Sequence, residues 1–266
     1  MKKLIYVALL FLFVKCSSSR HATAMQDGAN ASRSYYAIQV YHVATADQMA
    51  LVDNFLKTAY LPALHRNGVA TVGVFKPVDN DTASDKRIVV FAPYSSLEQF
   101  EKTTRQLRSD ITLEQLSPAY VNAPYSSPAY SRYETILLQA FEKMPMWATP
   151  RLTSAKGEHI YELRSYEGPT EKLYQNKVQM FNQGGEVALF TRLNFNAVFY
   201  GSVLSGARMP NLMYMTSFEN QADRDAHWKT FGNDPEWKKL SALPEYQHNV
   251  SKQDVFLMHA TEYSDF

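Results

Sequence analysis

The chain has 266 residues, 45% of them hydrophobic and 13% aromatic, which is enough for one large hydrophobic core or two smaller ones. Its 27 lysines and arginines nearly equal its 26 acidic residues and no basic run occurs, so we expect no nucleic-acid partner. It has a single cysteine, and its seven histidines show neither H-x-x-H nor H-E-x-x-H spacing. We therefore expect no disulfide framework, metal site or bound cofactor.

The N-terminal stretch predicts export. Two lysines precede an apolar run of 11 residues, Leu4 to Val14, which is too short to span a bilayer as an ordinary helix. Cys16 follows, and the pattern resembles a bacterial lipoprotein signal in which this cysteine is lipidated, although Lys15 stands where that signal usually has a small residue. The alternatives are cleavage after Ala24, at an A-x-A pattern, and a buried free cysteine. Residues 1–24 thus predict a protein of the bacterial envelope, lipid-anchored or periplasmic, with a membrane contact if Cys16 is modified.

After a polar tether at 20–34, residues 35–143 predict a first unit with the order β-α-β-β-α-β. Aromatic and branched residues indicate strands, and apolar residues at three-and-four spacing indicate helices. The strands are expected at 35–43, 69–75, 87–91 and 133–141. The helices are expected to begin after Thr45 and after Ser95 or Ser96, and residues 109–131 to be irregular.

The same order recurs in a second unit, residues 158–266, after a linker at 144–157. Its strands are expected at 159–166, 192–200, 211–218 and 254–263, and its helices at 170–182 and 221–231. A short helical turn is expected at Asp234-Pro235, where the aspartate suits the N-cap and the proline the first helical position.

Two such units in one chain predict an α+β fold. A ferredoxin-like β-α-β-β-α-β unit carries its helices on one face of the sheet and must bury the other face. Packing the two bare faces together, sheet to sheet, gives a pseudo-dimeric α+β barrel within one chain. Oligomerisation is then not required to close the barrel.

The strand from His159 to Tyr166 carries the most suggestive side chains. At period 2, Glu162, Arg164 and Tyr166 share one face, with about 7 Å between the Cα atoms of Glu162 and Arg164. If this face turns into the barrel, the two charges must neutralise each other or bind a polar ligand. We keep three interpretations open: an internal ion pair that fixes the sheet, a ligand-binding wall, and Glu162 as a general base.

The second unit resembles the NIPSNAP family, which belongs with the dimeric α+β barrels. The resemblance rests on Tyr161-Glu-Leu-Arg-Ser-Tyr166, on Asp234-Pro-Glu-Trp-Lys-Lys-Leu240 and on the closing stretch from Phe256 to Ser264. The first unit keeps only the outline, since Ala37 and Gln39 stand where the second has Glu162 and Arg164. The family implies no agreed mechanism, and related barrels that act as cofactor-free monooxygenases imply a small-molecule pocket only by analogy.

Other polar residues complete the candidate ligand-binding set. On the strand expected at 192–200, Asn196 and Tyr200 share a face that is either a second ligand wall or a solvated surface. His227 lies on a predicted helix, where a lone histidine is more often a surface residue than a ligand. His159 and His259 lie on strands that pair in the usual order, which weakly indicates a proton-handling site.

Three functions remain open on the sequence alone. The first is small-molecule binding in an asymmetric barrel cavity, with the second unit supplying the polar residues. The second is a cofactor-independent enzyme, monooxygenase- or isomerase-like, with Glu162, His159 or His227 as acid or base. The third is a structural or protein-interaction module with a filled barrel. A cavity lined by Glu162 and Arg164 would favour the first two.

Overall fold

A computed structural model describes residues 32–266, and its eight strands close into one antiparallel barrel. Around the barrel the strand order is β1-β3-β2-β8-β5-β7-β6-β4. The strands are β1 (Tyr35–Val43), β2 (Gly73–Pro77), β3 (Lys86–Tyr94), β4 (Arg132–Ala140), β5 (Ile160–Glu167), β6 (Ala197–Ser205), β7 (Asn211–Phe218) and β8 (Lys252–Ala260).

Each half of the chain contributes four neighbouring strands in the same order. The first half forms β4-β1-β3-β2 and the second forms β8-β5-β7-β6. Short ladders between β2 and β8 and between β4 and β6 join the halves. The predicted α+β barrel within one chain is therefore confirmed, with the bare faces of the two sheets meeting inside it.

Helices cover the outside of the barrel. They are α1 (Ala46–Phe55), continued by a π-helical turn (Leu56–Tyr60) into α2 (Leu61–Arg66), then α3 (Leu97–Arg108), α4 (Ile111–Leu116), α5 (Pro118–Val121), α6 (Glu171–Asn182), α7 (Glu186–Arg192), α8 (Gln221–Asn233) and α9 (Pro235–Ser241). Thr45 and Ser96 cap their helices as predicted, each accepting a hydrogen bond from the backbone N–H three residues on. Asp234 likewise caps α9.

Several stretches differ from the prediction: helix α7 was not expected, β2 begins at Gly73 rather than at 69, and β8 ends at Ala260 rather than at 263. Residues 109–131 are not wholly irregular, because they contain the short helices α4 and α5. The strand expected at 192–200 begins only at Ala197. Asn194 and Asn196 have left-handed backbone conformations (φ 57° and 44°), which a strand does not accommodate and which asparagine tolerates better than most residues.

The buried side chains form three clusters. One lies inside the barrel, and the other two lie between the sheet and the helices of each half. At one end of the barrel the interior is closed by packed rings, namely Tyr36, Phe75, Phe91, Tyr161, Phe199 and Phe266. The ring centroids of Phe91 and Phe199 are 5.0 Å apart, and those of Phe75 and Tyr161 4.8 Å.

The predicted signal and Cys16 lie outside the described residues, so export, lipidation and the tether stay predictions. Within residues 32–266, no helix is long and apolar enough to cross a membrane. Nor does that region contain a group of three or more metal-ligating side chains.

Candidate functional site

The three polar side chains of β5 lie on the outside of the barrel, under the helices. Tyr161 and Leu163 face the interior instead. Glu162 is nevertheless completely buried and Arg164 is 9% exposed, because α8 covers them. Period-2 alternation grouped the three side chains correctly, but the ligand-wall interpretation placed Glu162 and Arg164 in the barrel cavity, and they do not line it.

The carboxylate of Glu162 is fully hydrogen-bonded. One oxygen, Oε1, accepts from Nε of Arg164 at 2.5 Å. The other, Oε2, accepts from Nε of Arg224 at 2.7 Å and from Nε1 of Trp228 at 2.8 Å. Two guanidinium groups and an indole therefore occupy both oxygens of this carboxylate. This geometry fits the ion-pair interpretation rather than the ligand wall or the general base.

Arg164 extends this contact into a chain of aromatic residues. Its guanidinium carbon lies 3.7 Å from the ring centroid of Trp228, a close cation–π contact. A terminal nitrogen donates to the hydroxyl of Tyr166 at 2.9 Å, and that hydroxyl lies 2.9 Å from the hydroxyl of Tyr214. We call Glu162, Arg164, Tyr166, Tyr214, Arg224 and Trp228 the buried ion network.

A second buried ion pair in the same helix layer was missed by sequence reasoning. Nζ of Lys177 lies 2.9 Å from a carboxylate oxygen of Glu186, and both side chains are almost fully buried. The same ammonium lies 4.7 Å from the ring centroid of Phe181. A signal existed, since Lys177 stands four residues before Phe181 on the apolar side of α6.

His159 and His259 contact the backbone rather than each other's rings. His159 and His259 are adjacent, as the strand order predicts, but Nδ1 of His259 contacts the backbone carbonyl of His159 at 2.9 Å. The ring of His159 contacts the carbonyl of Ser154 at 2.9 Å. The two rings therefore serve backbone contacts.

Asn196, Tyr200 and His227 come together in a pocket of about 620 Å³ beside α7 and α8. The amide of Asn196 is engaged with the linker, accepting from the N–H of Arg151 and donating to its carbonyl, both at 3.2 Å. Tyr200 is 1% exposed, and His227 is anchored through Nδ1 to the carbonyl of Asp223 at 2.9 Å. This pocket is separate from the barrel interior.

The open end of the barrel holds a cavity of about 500 Å³, which is our candidate functional site. Both halves of the chain line it. Its apolar wall consists of Ile38, Val40, Val89, Ile136, Leu163, Met213, Phe256 and Met258. Its polar rim includes His42, Asp85, Arg87, Arg132, Glu134, Ser165, Arg208 and Asn211. None of the buried ion network contributes to it.

The rim residues of the first half form a row across three strands. His42 of β1 is directly opposite Arg87 of β3 and Arg132 of β4. Nδ1 of His42 lies 2.7 Å from Oδ1 of Asp85, and Nε2 lies 3.4 Å from Oε1 of Glu134. Desolvation acts to raise the pKa of Asp85, but hydrogen bonds from His42 and Arg87 outweigh it, and the pKa is lowered. The rim is thus a charge-balanced network that leaves the apolar wall accessible.

A closed antiparallel barrel of two β-α-β-β-α-β halves with helices outside defines the class of the dimeric α+β barrels, here within one chain. The structure resembles a proposed monooxygenase from Lactobacillus acidophilus, with a TM-score of 0.53 and 10% identity over 86% of this chain and 94% of that one. It also resembles a proposed monooxygenase from Fusobacterium nucleatum, with a TM-score of 0.53 and 5% identity over 86% and 93%. At such identities these likenesses show the fold alone.

Within that class, residues 161–265 in the second half of the chain match the model of the NIPSNAP family. The matched segment contains the whole buried ion network. A NIPSNAP-like domain protein from Burkholderia xenovorans is similar at 16% identity and a TM-score of 0.37, over 41% of this chain and 90% of that one. No curated protein matches the chain significantly.

Proposed function

We propose that the barrel binds an apolar or amphipathic small molecule through its open end. The observation that carries this proposal is the 500 Å³ cavity with an apolar wall and a polar rim. Ligand pockets in proteins commonly have volumes of about 300–1,000 Å³ and combine apolar walls with a few placed polar groups. The apolar part of the ligand would lie against Met213, Phe256 and Met258, and its polar end at the rim.

The rim favours hydrogen bonding over a strong charge preference. Arg87 is paired with Asp85, Arg132 with Glu134, and Arg208 with Asp254. Because each rim arginine already has a carboxylate partner, a ligand gains little from carrying a net charge. Hydroxyl, carbonyl or amide groups at the end of an apolar body fit this rim.

The two rival functions gain less support. An enzyme with Glu162 or His159 as acid or base is disfavoured by the hydrogen bonds that already occupy those groups. A purely structural barrel would be filled throughout, whereas here only one end is filled by aromatic rings.

The test uses a fluorescent apolar probe, N-phenyl-1-naphthylamine, titrated into the full chain. Val40→Phe places a ring in the cavity from a partly buried position, and we expect it to weaken probe binding about tenfold or more, equal to about 1.4 kcal/mol. Val255→Phe is the matched control. Val255 is exposed and lies on the face of β8 opposite to that of Phe256, which lines the cavity. Unchanged binding in Val40→Phe, or an equal loss in both variants, would refute the proposal. Native mass spectrometry of protein from its own host would then identify any retained molecule.

A further inference from the structure

A second pocket, distinct from the barrel cavity, lies where the linker between the halves crosses the second helix layer. We call it the strap pocket, and the linker residues 143–154 the strap. The pocket has a volume of about 620 Å³ and is lined by strap residues, by α7 and α8, and by the start of β6. Its apolar wall includes Val187, Phe190 and Tyr200.

The strap is held firmly over the pocket by hydrogen bonds. The N–H of Ala148 donates to the carbonyl of Val198 at 2.9 Å. The N–H groups of Thr153 and Ser154 donate to the carboxylate of Glu219 at distances of 2.8–3.0 Å. The pocket is therefore a built feature of the fold rather than a gap beneath a loose segment.

The acidic and the basic side chains around the strap pocket differ in how many hydrogen-bond and ion-pair partners they have. Hydrogen bonds from Ser154 and Thr153 lower the pKa of Glu219 to about 2, so this carboxylate is already stabilised as an anion. Asp223 accepts from the N–H of Glu219 at 3.1 Å and lies 3.1 Å from Nδ1 of His227. By contrast, Lys143 and Arg151 form no ion pair with any residue of the described range 32–266. Lys143 and Arg151 are therefore the charged side chains of this lining that remain available to a ligand.

One residue of the inner wall, Tyr200, carries a buried hydroxyl without a hydrogen-bond partner among residues 32–266. Buried hydroxyls in proteins are nearly always hydrogen-bonded, because an unsatisfied one costs free energy. Tyr200 stacks on Tyr214 of the buried ion network at a centroid distance of 5.4 Å, so the protein holds this ring in place.

We propose that the strap pocket binds a small organic anion, a carboxylate or phosphate monoester that carries an apolar group. Lys143 and Arg151 bind the anionic end, with Asn194 and His227 as further polar groups of the lining. The apolar group packs on Phe190 and Tyr200 at the inner wall. This site uses three residues that the sequence singled out, Asn196, Tyr200 and His227, but in a place apart from Glu162 and Arg164.

The experiment is a calorimetric titration of the full chain with phenyl phosphate, with inorganic phosphate and phenol as separate arms. Phenyl phosphate should bind more tightly than either fragment. The Lys143→Gln/Arg151→Gln double variant should weaken its binding about tenfold or more, which corresponds to about 1.4 kcal/mol. Because the two cations are partly solvated, added salt should also weaken binding to the native chain.

Arg108→Gln is the control, since Arg108 is an exposed cation on α3 that lines neither pocket. Native-like affinity in the double variant, an equal loss in Arg108→Gln, or no saturable heat at millimolar phenyl phosphate would overturn the proposal. Val40→Phe should leave phenyl phosphate binding unchanged. A failure of this proposal is therefore distinguishable from a failure of the barrel-cavity proposal.

Discussion

Replacing Glu162 with glutamine tests whether the buried ion network stabilises the fold. The carboxylate is completely buried and accepts from Arg164, Arg224 and Trp228. Glutamine keeps the size but removes the negative charge and presents an NH₂ group to two guanidinium donors. Removing one partner of a buried ion pair typically costs about 3–5 kcal/mol. Arg224 is one-fifth exposed and can turn toward water, so we expect a loss near the lower end, about 3 kcal/mol.

The measurement is the free energy of unfolding from guanidinium titration, followed by far-ultraviolet circular dichroism and by tryptophan fluorescence. Fluorescence is informative because Trp228 stacks on Arg164 within the network. Glu101→Gln is the matched control, since Glu101 pairs with Arg105 at 2.6 Å on an exposed helix surface. Breaking such a pair should cost only about 0.5 kcal/mol.

Two results would contradict this reasoning. The first is a loss for Glu162→Gln no larger than that for Glu101→Gln, which would mean that the network contributes little to stability. The second is a folded, stable Glu162→Gln protein that no longer binds N-phenyl-1-naphthylamine. That outcome would return Glu162 to the ligand wall proposed from the sequence, despite its position on the outside of the barrel.

Three further predictions concern the second buried ion pair, the closed end of the barrel and the strap. Lys177→Met alone should lower the free energy of unfolding by about 3 kcal/mol, and adding Glu186→Leu should restore part of it; additive losses would deny the pairing. Phe266→Ala should cost about 3 kcal/mol in chemical denaturation, because the ring packs inside the closed end; a change below about 1 kcal/mol would contradict that packing. The hydrogen bonds from Ser154 to Glu219 should be fully formed above pH 4.5 and lost as the pH falls through about 2. The measurement is the protection factor of the Ser154 amide, which is its exchange rate relative to the intrinsic rate at the same pH. Glu219→Gln should abolish the acid dependence of this protection factor, and a protection factor that still falls with pH in that variant would refute the assignment.

Periodicity and capping chemistry were sufficient to predict most of the fold. The bounds of β1 and β7 match the expected ones, and Thr45 caps α1 through its side chain. These features depend on neighbours in sequence, so local rules reach them. The start of β6 was predicted too early, because the local residue pattern does not show the backbone conformation at this point. Branched and aromatic residues suggested an extended strand, but the left-handed backbone at Asn194 and Asn196 delays it.

Alternation alone could not show which face of β5 points into the barrel. Period 2 separates Glu162 and Arg164 from Tyr161 and Leu163 but does not say which face is inside. In a barrel covered by helices both faces of a strand are buried, so burial does not decide the question either. The deciding partners, among them Trp228, lie more than sixty residues further along the chain.

The rim of the cavity could not be predicted from the sequence, because it also depends on partners distant in the chain. His42, Arg87 and Arg132 belong to three strands, and only the register of those strands places them in one row. The cavity itself depends on which interior side chains are large enough to meet across the barrel. Aromatic rings meet at one end, and smaller aliphatic and thioether side chains line the space at the other.

The two halves share an architecture but divide its physical roles. In the second half, Glu162 and Arg164 anchor β5 to α8 through charge, whereas in the first half Ala37 is apolar and Gln39 pairs with the hydroxyl of Tyr60 at 2.7 Å. The NIPSNAP match covers the half with the charged anchor, and within it Glu162 and Arg164 contact α8 rather than the cavity. The cavity takes its wall from both halves, and its histidine-containing row from the half outside the match. A search for the ligand should therefore be guided by the cavity and its rim, because the most recognisable residues of this chain are occupied in holding the barrel to its helices.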